Sequence, residues 1–434
     1  MTVNRLLTPI EEALEIVNQT GGSFNVVTIS RIIGCLDEEI LRKALDIVQL
    51  RHPLLNARIV NSLNRLCFET GAIQIPLRSI NSLNSQSWQE VVIAEMNEKI
   101  ASDAGLGRCV LVKSPSENHV NYLITILHHA ISDGLSSIQL HSEILTYCQK
   151  IADGELINSV ESLPVLPPIQ ELLPESMQGW WGKIKGIFLL LNLQFKQLWY
   201  QPKALDFEQC VPIESRCCGL VHRQLDKELT EKLVNFCRQE KTTVQGALCA
   251  ALMFAVANQI YGYERKDIWL NCWSHVDLRQ RLRSLVSENN LGVLFSSITS
   301  FHPLTTKTTF WDLAREVRQT IIAGLNSDHL FSIIMMYKQV LKFLLKKPNQ
   351  APASVSVTNI GKVKIPKFYG QLELEQISFL PVQGVFGGVV TLAVATFDSK
   401  MNLNFAFSLP AISQNAMEEL ADNLVVCLKN ACDF

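Results

Sequence analysis

The stretch Tyr122–Ile144, YLITILHHAISDGLSSIQLHSEI, decides how this chain is read. It begins as an apolar, β-branched run of the kind that forms a buried strand. It ends with Leu135 and Ile138, which together with Leu145 just beyond it fall at helical spacing. Between the two halves stand two adjacent histidines, an aspartate and a glycine. Side chains alternate in direction along a strand, so Leu123, Thr125, Leu127 and His129 share one face, and His128 shares the other with Ile124 and Ile126. The two histidines therefore have different surroundings and different work. A rigid strand end opening onto a turn is a good place to hold a base, because the strand fixes it and the turn leaves one side open.

Composition excludes several classes. With 434 residues the chain is long for one core and is expected to form two domains. Apolar residues make up 47% and charged residues 18%, a globular balance. A formal net charge of −2 gives no reason to expect a nucleic-acid partner. The twelve cysteines form no C-x-x-C or Cys/His cluster, and the opening MTVNRLLTPIEEALEIVN lacks the basic-then-apolar pattern of a signal peptide. Reduced thiols and a cytoplasmic location are the expectation. No apolar run reaches the length of a membrane span.

Outward from the central stretch, helices and strands interleave. Thr8 and Glu11 flank Pro9 as a capping box, Phe24–Ile33 is strand-like, and a helix follows Asp37 and stops before Pro53. Strands are expected at ARIV, at RCVLVKS and at NYLITILHH, with a helix around Trp88–Ile100. This gives an N-terminal domain over 1–175. After a proline-rich passage at Pro164–Pro174, the segment Trp180–Tyr200, with three of the seven tryptophans, forms an apolar connector over 176–205. That segment fits a membrane surface by composition, and packing across the domain junction is the favoured expectation. Residues 206–434 repeat the mixture of elements and make a second domain, ending in a hairpin that turns near Asp398–Lys400 and a helix from Ser413. The fold class is mixed α and β, with substantial sheets.

The chemistry that suits a lone, rigid histidine is removal of a proton from a nucleophile and its return to a leaving group. His129 is the candidate base. Asp133, four residues on, either orients His129 or turns towards an arginine that locks the loop. Gly134 lets backbone approach a substrate closely, with its N–H placed to help an oxyanion. His128 reads as a satisfied core residue. A metal site built from His128, His129, Asp133 and His141 fails on geometry, since adjacent strand residues point apart.

HHAISDG resembles the HHxxxDG motif of the condensation-domain and chloramphenicol-acetyltransferase-like acyltransferases. RHPLL (Arg51–Leu55) resembles the RHxxL motif of condensation domains. TPIEEAL, HVDLRQRL (His275–Leu282) and SVTNIG (Ser356–Gly361) resemble segments of the PapA-type, phthiocerol dimycocerosyl transferase-like branch. The resemblance implies two chloramphenicol-acetyltransferase-like domains forming a pseudo-dimer, with one active site in a tunnel at their interface. It also implies His129 as the catalytic base and Asp133 as a loop anchor, with Arg51 as its expected partner. Where condensation domains carry a further arginine after RHxxL this chain has Asn56, and the plant-type DFGWG motif is absent.

Arg279, Arg281 and Arg283 are candidates for contact with a CoA phosphate or an acidic carrier protein. A solvated basic turn is the alternative. Ser356, Thr358 and Asn359 are candidates for the acceptor side or for the oxyanion. The expected function is acyl transfer from a CoA or carrier-protein thioester to a hydrophobic hydroxyl acceptor, with no other cofactor. Amide formation by a free-standing condensation domain, a non-catalytic carrier-binding relative and a peripheral membrane protein are the alternatives.

Overall fold

Thr8 and Glu11 do cap the first helix, Pro9–Gly21. The Thr8 amide donates to Glu11 Oε2 at 2.7 Å, and the Glu11 amide donates to Thr8 Oγ1 at 3.4 Å. Asp37 caps Glu38–Arg51 by accepting from the Glu39 and Ile40 amides. The structure, a computed structural model, describes residues 3–21, 24–81, 87–114, 119–262 and 266–433.

Two compact units divide the chain. The first holds Met1–Leu172, Arg279–Leu294 and Lys362–Val382; the second holds Leu173–Leu278, Phe295–Gly361 and Gln383–Phe434. The linear boundaries expected near 175 and 206 miss this exchange. Its cause is strand pairing: Leu372–Pro381 runs antiparallel to Asn25–Ile33, from Glu373 opposite Ile33 to Pro381 opposite Val26.

The first unit is built on a six-stranded sheet in the order Phe368–Tyr369, Leu372–Pro381, Asn25–Ile33, Val120–His128, Gly107–Ser114, Leu77–Asn81. Only the Leu77–Asn81 and Gly107–Ser114 pair is parallel. Val120–His128 is an inner strand, buried along its whole length, which is why its sequence is apolar on both faces. The helix Gly134–Ala152 covers the Thr125 face. From that helix His141 bonds Ser30 Oγ at 2.8 Å and Thr125 Oγ1 at 2.7 Å. Glu15, on Pro9–Gly21, reaches His128 from the opposite face.

The second unit has its own six-stranded sheet, ordered Phe295–Leu304, Ile268–Asp277, Val355–Lys362, Val390–Phe397, Lys400–Leu409, Cys217–Leu225. The expected hairpin turns at Asp398 and Ser399, both with positive φ (47° and 62°), the backbone a two-residue hairpin needs. Val244–Tyr261 is long and apolar enough to cross a membrane by length and composition, so the expectation of no such run is corrected. Gln245, Asn258 and Gln259 interrupt it without lowering its mean hydropathy enough. In the fold, Gly246–Val256 is buried in the core of the second unit.

The Gly179–Tyr200 helix packs on His329–Leu345 through a face of small residues. A methyl group on Gly186 would run into Met336, and one on Gly182 into the Met177 backbone. Its aromatic face is uncovered: Trp180 is 62% exposed, Phe188 68% and Trp199 72%. Packing therefore accounts for one face of this helix and not for its exposed aromatic residues.

Candidate active site

The strand Val120–His128 ends one residue short of His129. His129 is 6% exposed and stacks on Phe24, with ring centroids 5.7 Å apart. Its Nδ1 lies 2.8 Å from the carbonyl oxygen of Ser132. A carbonyl can only accept, so Nδ1 carries the hydrogen and Nε2 the lone pair. Burial pushes the His129 pKa below the usual histidine value, against the opposing pull of the Ser132 carbonyl and the nearby Asp133 charge. At neutral pH this imidazole is an unprotonated base with its lone pair on Nε2.

His128 is set the other way. The Ala130 amide donates to its Nδ1 at 3.0 Å, so a neutral ring carries its hydrogen on Nε2. Nε2 lies 2.8 Å from Glu15 Oε2. Glu15 itself accepts from Ser102 Oγ at 2.7 Å and Gln19 Nε2 at 2.6 Å. Burial raises the Glu15 pKa, but His128 and these donors outweigh it and leave the carboxyl below its usual range. Two adjacent histidines are thus locked in opposite tautomers, with His128 a buried anchor for the strand end.

Asp133 does not orient His129. It caps the Gly134–Ala152 helix, accepting from the Ser136 amide at 3.0 Å and the Ser136 hydroxyl at 2.9 Å. Its carboxylate takes a two-point bond from Arg279, Nη1 to Oδ2 at 2.9 Å and Nη2 to Oδ1 at 3.1 Å. The Leu294 amide adds a bond to Oδ2 at 3.2 Å. Those donors occupy the carboxylate oxygens. Burial raises its pKa, yet the Arg279 charge and bonds prevail and hold it below the usual range. The segment Arg279–Leu294 is fastened to Asp133 at both ends.

This corrects two expectations. Arg51 is not the partner of Asp133: its Nε pairs with Glu143 on the Gly134–Ala152 helix, and its Nη1 donates to the Glu161 carbonyl at 2.9 Å. His52 joins the same carboxylate at 2.6 Å. The RHPLL residues therefore clamp the end of Glu38–Arg51 onto the helix that follows the histidines. Arg279 is not a surface arginine awaiting a phosphate, since it is 1% exposed and committed to Asp133. Arg281 and Arg283 are exposed on the same segment.

Gly134 is glycine for a packing reason. A methyl group there would overlap the ring of Phe379, which comes from the Leu372–Pro381 strand. This ring, rather than a substrate, makes the close approach. Ser356, Thr358 and Asn359 lie in the second unit on Val355–Lys362. There Ser356 Oγ is 3.0 Å from His275 Nε2, and Asn359 Oδ1 accepts from the Gly361 amide at 2.8 Å. Among the described residues no group of three His, Cys, Asp or Glu side chains is placed to hold a metal ion.

Sequence reasoning missed Glu15, Phe24, Glu143 and Phe379. Nothing local marks them, because each reaches the site from another element. The role of Arg279 had a signal, its place in VDLRQRL beside an aspartate motif that needs a cationic partner.

Residues 215–405 match the family described as phthiocerol/phthiodiolone dimycocerosyl transferase C-terminus. No curated protein matches the chain. Among solved structures, the chain is similar to the trichothecene 15-O-acetyltransferase of Fusarium sporotrichioides, with 12% identity, 100% of this chain and 96% of that one covered, and a TM-score of 0.78. It is similar to polyketide synthase associated protein 5 of Mycobacterium tuberculosis, with 16% identity, 99% and 100% covered, and a TM-score of 0.68. The first condensation domain of the calcium-dependent antibiotic synthetase aligns with 12% identity, 99% and 97% covered, and a TM-score of 0.73. At such identities the likeness is one of fold, and it extends over essentially the whole chain. Over residues 215–405 the chain thus resembles that transferase family, and over its whole length it shares the fold of these acetyltransferase and condensation-domain structures.

Proposed function

We propose that the chain is an O-acyltransferase that moves an acyl group from a CoA or carrier-protein thioester to a hydroxyl acceptor, with His129 as the base. The observation that carries this reading is the Nδ1 contact with the Ser132 carbonyl, which leaves the lone pair on Nε2 of a ring kept neutral by burial. Nε2 takes the acceptor's proton as its oxygen attacks the thioester carbonyl. The tetrahedral oxyanion then collapses, the carbon–sulfur bond breaks, and the thiolate recovers that proton from Nε2. No acyl-enzyme is required.

The resemblance to acetyl- and mycocerosyl-transferring relatives supports an oxygen acceptor, and the apolar chain supports a hydrophobic one. Amide formation is the second reading, favoured by the fold shared with a condensation domain. Arg281 is proposed to meet the donor's phosphate or carrier, and Ser356, Thr358 and Asn359 the acceptor. The test supplies acyl-CoAs of several chain lengths with matched alcohols and amines and identifies products by mass spectrometry. Ester from the alcohols supports the proposal; amide alone overturns it in favour of the condensation reading.

A further inference from the structure

The Gly179–Tyr200 helix carries two apolar faces, and the fold uses one. Gly182, Gly186 and Leu189 form the buried face. Tyr200 stacks on Trp269 with centroids 3.9 Å apart, and Asn271 Nδ2 donates to Gln197 Oε1 at 3.2 Å, so the helix is fixed at its end as well. Trp180, Phe188, Leu191, Phe195, Leu198 and Trp199 recur at helical spacing on the opposite side, each between 56% and 75% exposed. Five aromatic and three aliphatic side chains of this helix are exposed in all. Together they present on the order of 900 Å² of apolar surface, taking ~200 Å² per aromatic side chain. The largest patch on a typical monomer is about 300–600 Å².

Charge identifies what covers this face. Lys183 and Lys196 lie about 110° round the helix from the centre of the stripe, at its borders, where long stems let ammonium groups reach past an apolar boundary, while Lys185 pairs with Asp328 Oδ2 at 2.5 Å. The helix it packs on adds Lys338 and Lys342, and Lys346 and Lys347 follow directly after its end. Residues 179–200 and 329–350 contain no Asp or Glu, in a chain with 41 acidic residues and net charge −2. A second copy would set lysines against lysines. An anionic bilayer surface satisfies both features, taking the aromatic stripe at headgroup depth and the lysines against lipid phosphates.

We infer that the aromatic face of Gly179–Tyr200 docks the protein on an anionic membrane surface, lying in its plane. This is independent of the acyl-transfer reading. The full chain is mixed with vesicles of equal phosphatidylglycerol and phosphatidylcholine, and with phosphatidylcholine alone, and followed by co-sedimentation and tryptophan emission. The expected result is binding to the anionic vesicles with a blue shift. The variant Phe188→Ser/Phe195→Ser/Leu198→Ser should lower partitioning by at least about tenfold. Each of Lys183→Gln and Lys196→Gln should lower it by about fivefold. These side chains are exposed, so thermal melts should be unchanged and loss of binding is separable from unfolding. Absence of binding to anionic vesicles, or equal binding by wild type and triple variant, overturns the inference. So does a dimer in analytical ultracentrifugation that the triple variant splits.

Discussion

Arg279 holds both carboxylate oxygens of Asp133 across 146 residues of sequence, with 1% of the arginine exposed. The pair fastens the loop after the histidines to the Arg279–Leu294 segment. Because both charges are buried, removing either strands the other. Asp133→Ala and Arg279→Ala are each expected to destabilise by about 3–5 kcal/mol, and the double variant by clearly less than their sum. Urea denaturation of the four proteins checks this. Additive losses would mean that the two groups do not depend on each other.

Gly134 and Phe379 make a second dependent pair. Gly134→Ala is expected to cost about 1–3 kcal/mol through overpacking against the ring. Adding Phe379→Leu should restore part of that loss in thermal or urea melts. If the second change only adds to the damage, the ring is not the reason for glycine.

His141 gives the first unit an acid-sensitive core. Burial holds its pKa at about 3, whereas an unfolded chain has histidine near ~6.5. Its contribution is fully present above ~6.5 and is lost as pH falls towards 3, because the unfolded state takes up the proton first. Between pH 7 and 4.5 wild type should lose roughly 2–3 kcal/mol more stability than His141→Gln, at about 1.4 kcal/mol per pH unit. Equal losses at the two pH values would remove His141 as the cause.

How much of this was legible in sequence follows the range of each interaction. The Thr8–Glu11 cap, the alternation that separates His128 from His129 and the Asp398–Ser399 turn are set by neighbours and read directly. Arg279 and Leu372–Pro381 act in a unit far from their place in the chain, and no local periodicity reports that. Arg51 was legible as important but not in its partner, since an arginine beside a helix end suits Glu143 as well as Asp133. For Gly179–Tyr200 the sequence offers both a surface and a packed placement, and each describes one face, since composition does not tell which of two apolar faces is covered.

The pH dependence of acyl transfer should follow His129. Burial lowers its pKa, so the acid limb of kcat/KM is expected with a midpoint below 6.5, activity being lost as pH falls and Nε2 is protonated. A limb centred above 7 would point to another group. The profile is measured with one acyl thioester and one alcohol, over a pH range in which thermal melts show the protein folded.

The central claim is that Nε2 of His129 moves the proton. Wild type and His129→Ala are compared for ester formed from an acyl-CoA and an alcohol, by mass spectrometry, after melts confirm that both are folded. The account predicts a fall of about 10²–10⁴-fold in the variant, the usual contribution of a positioned acid–base group. Equal product from the two proteins would contradict it.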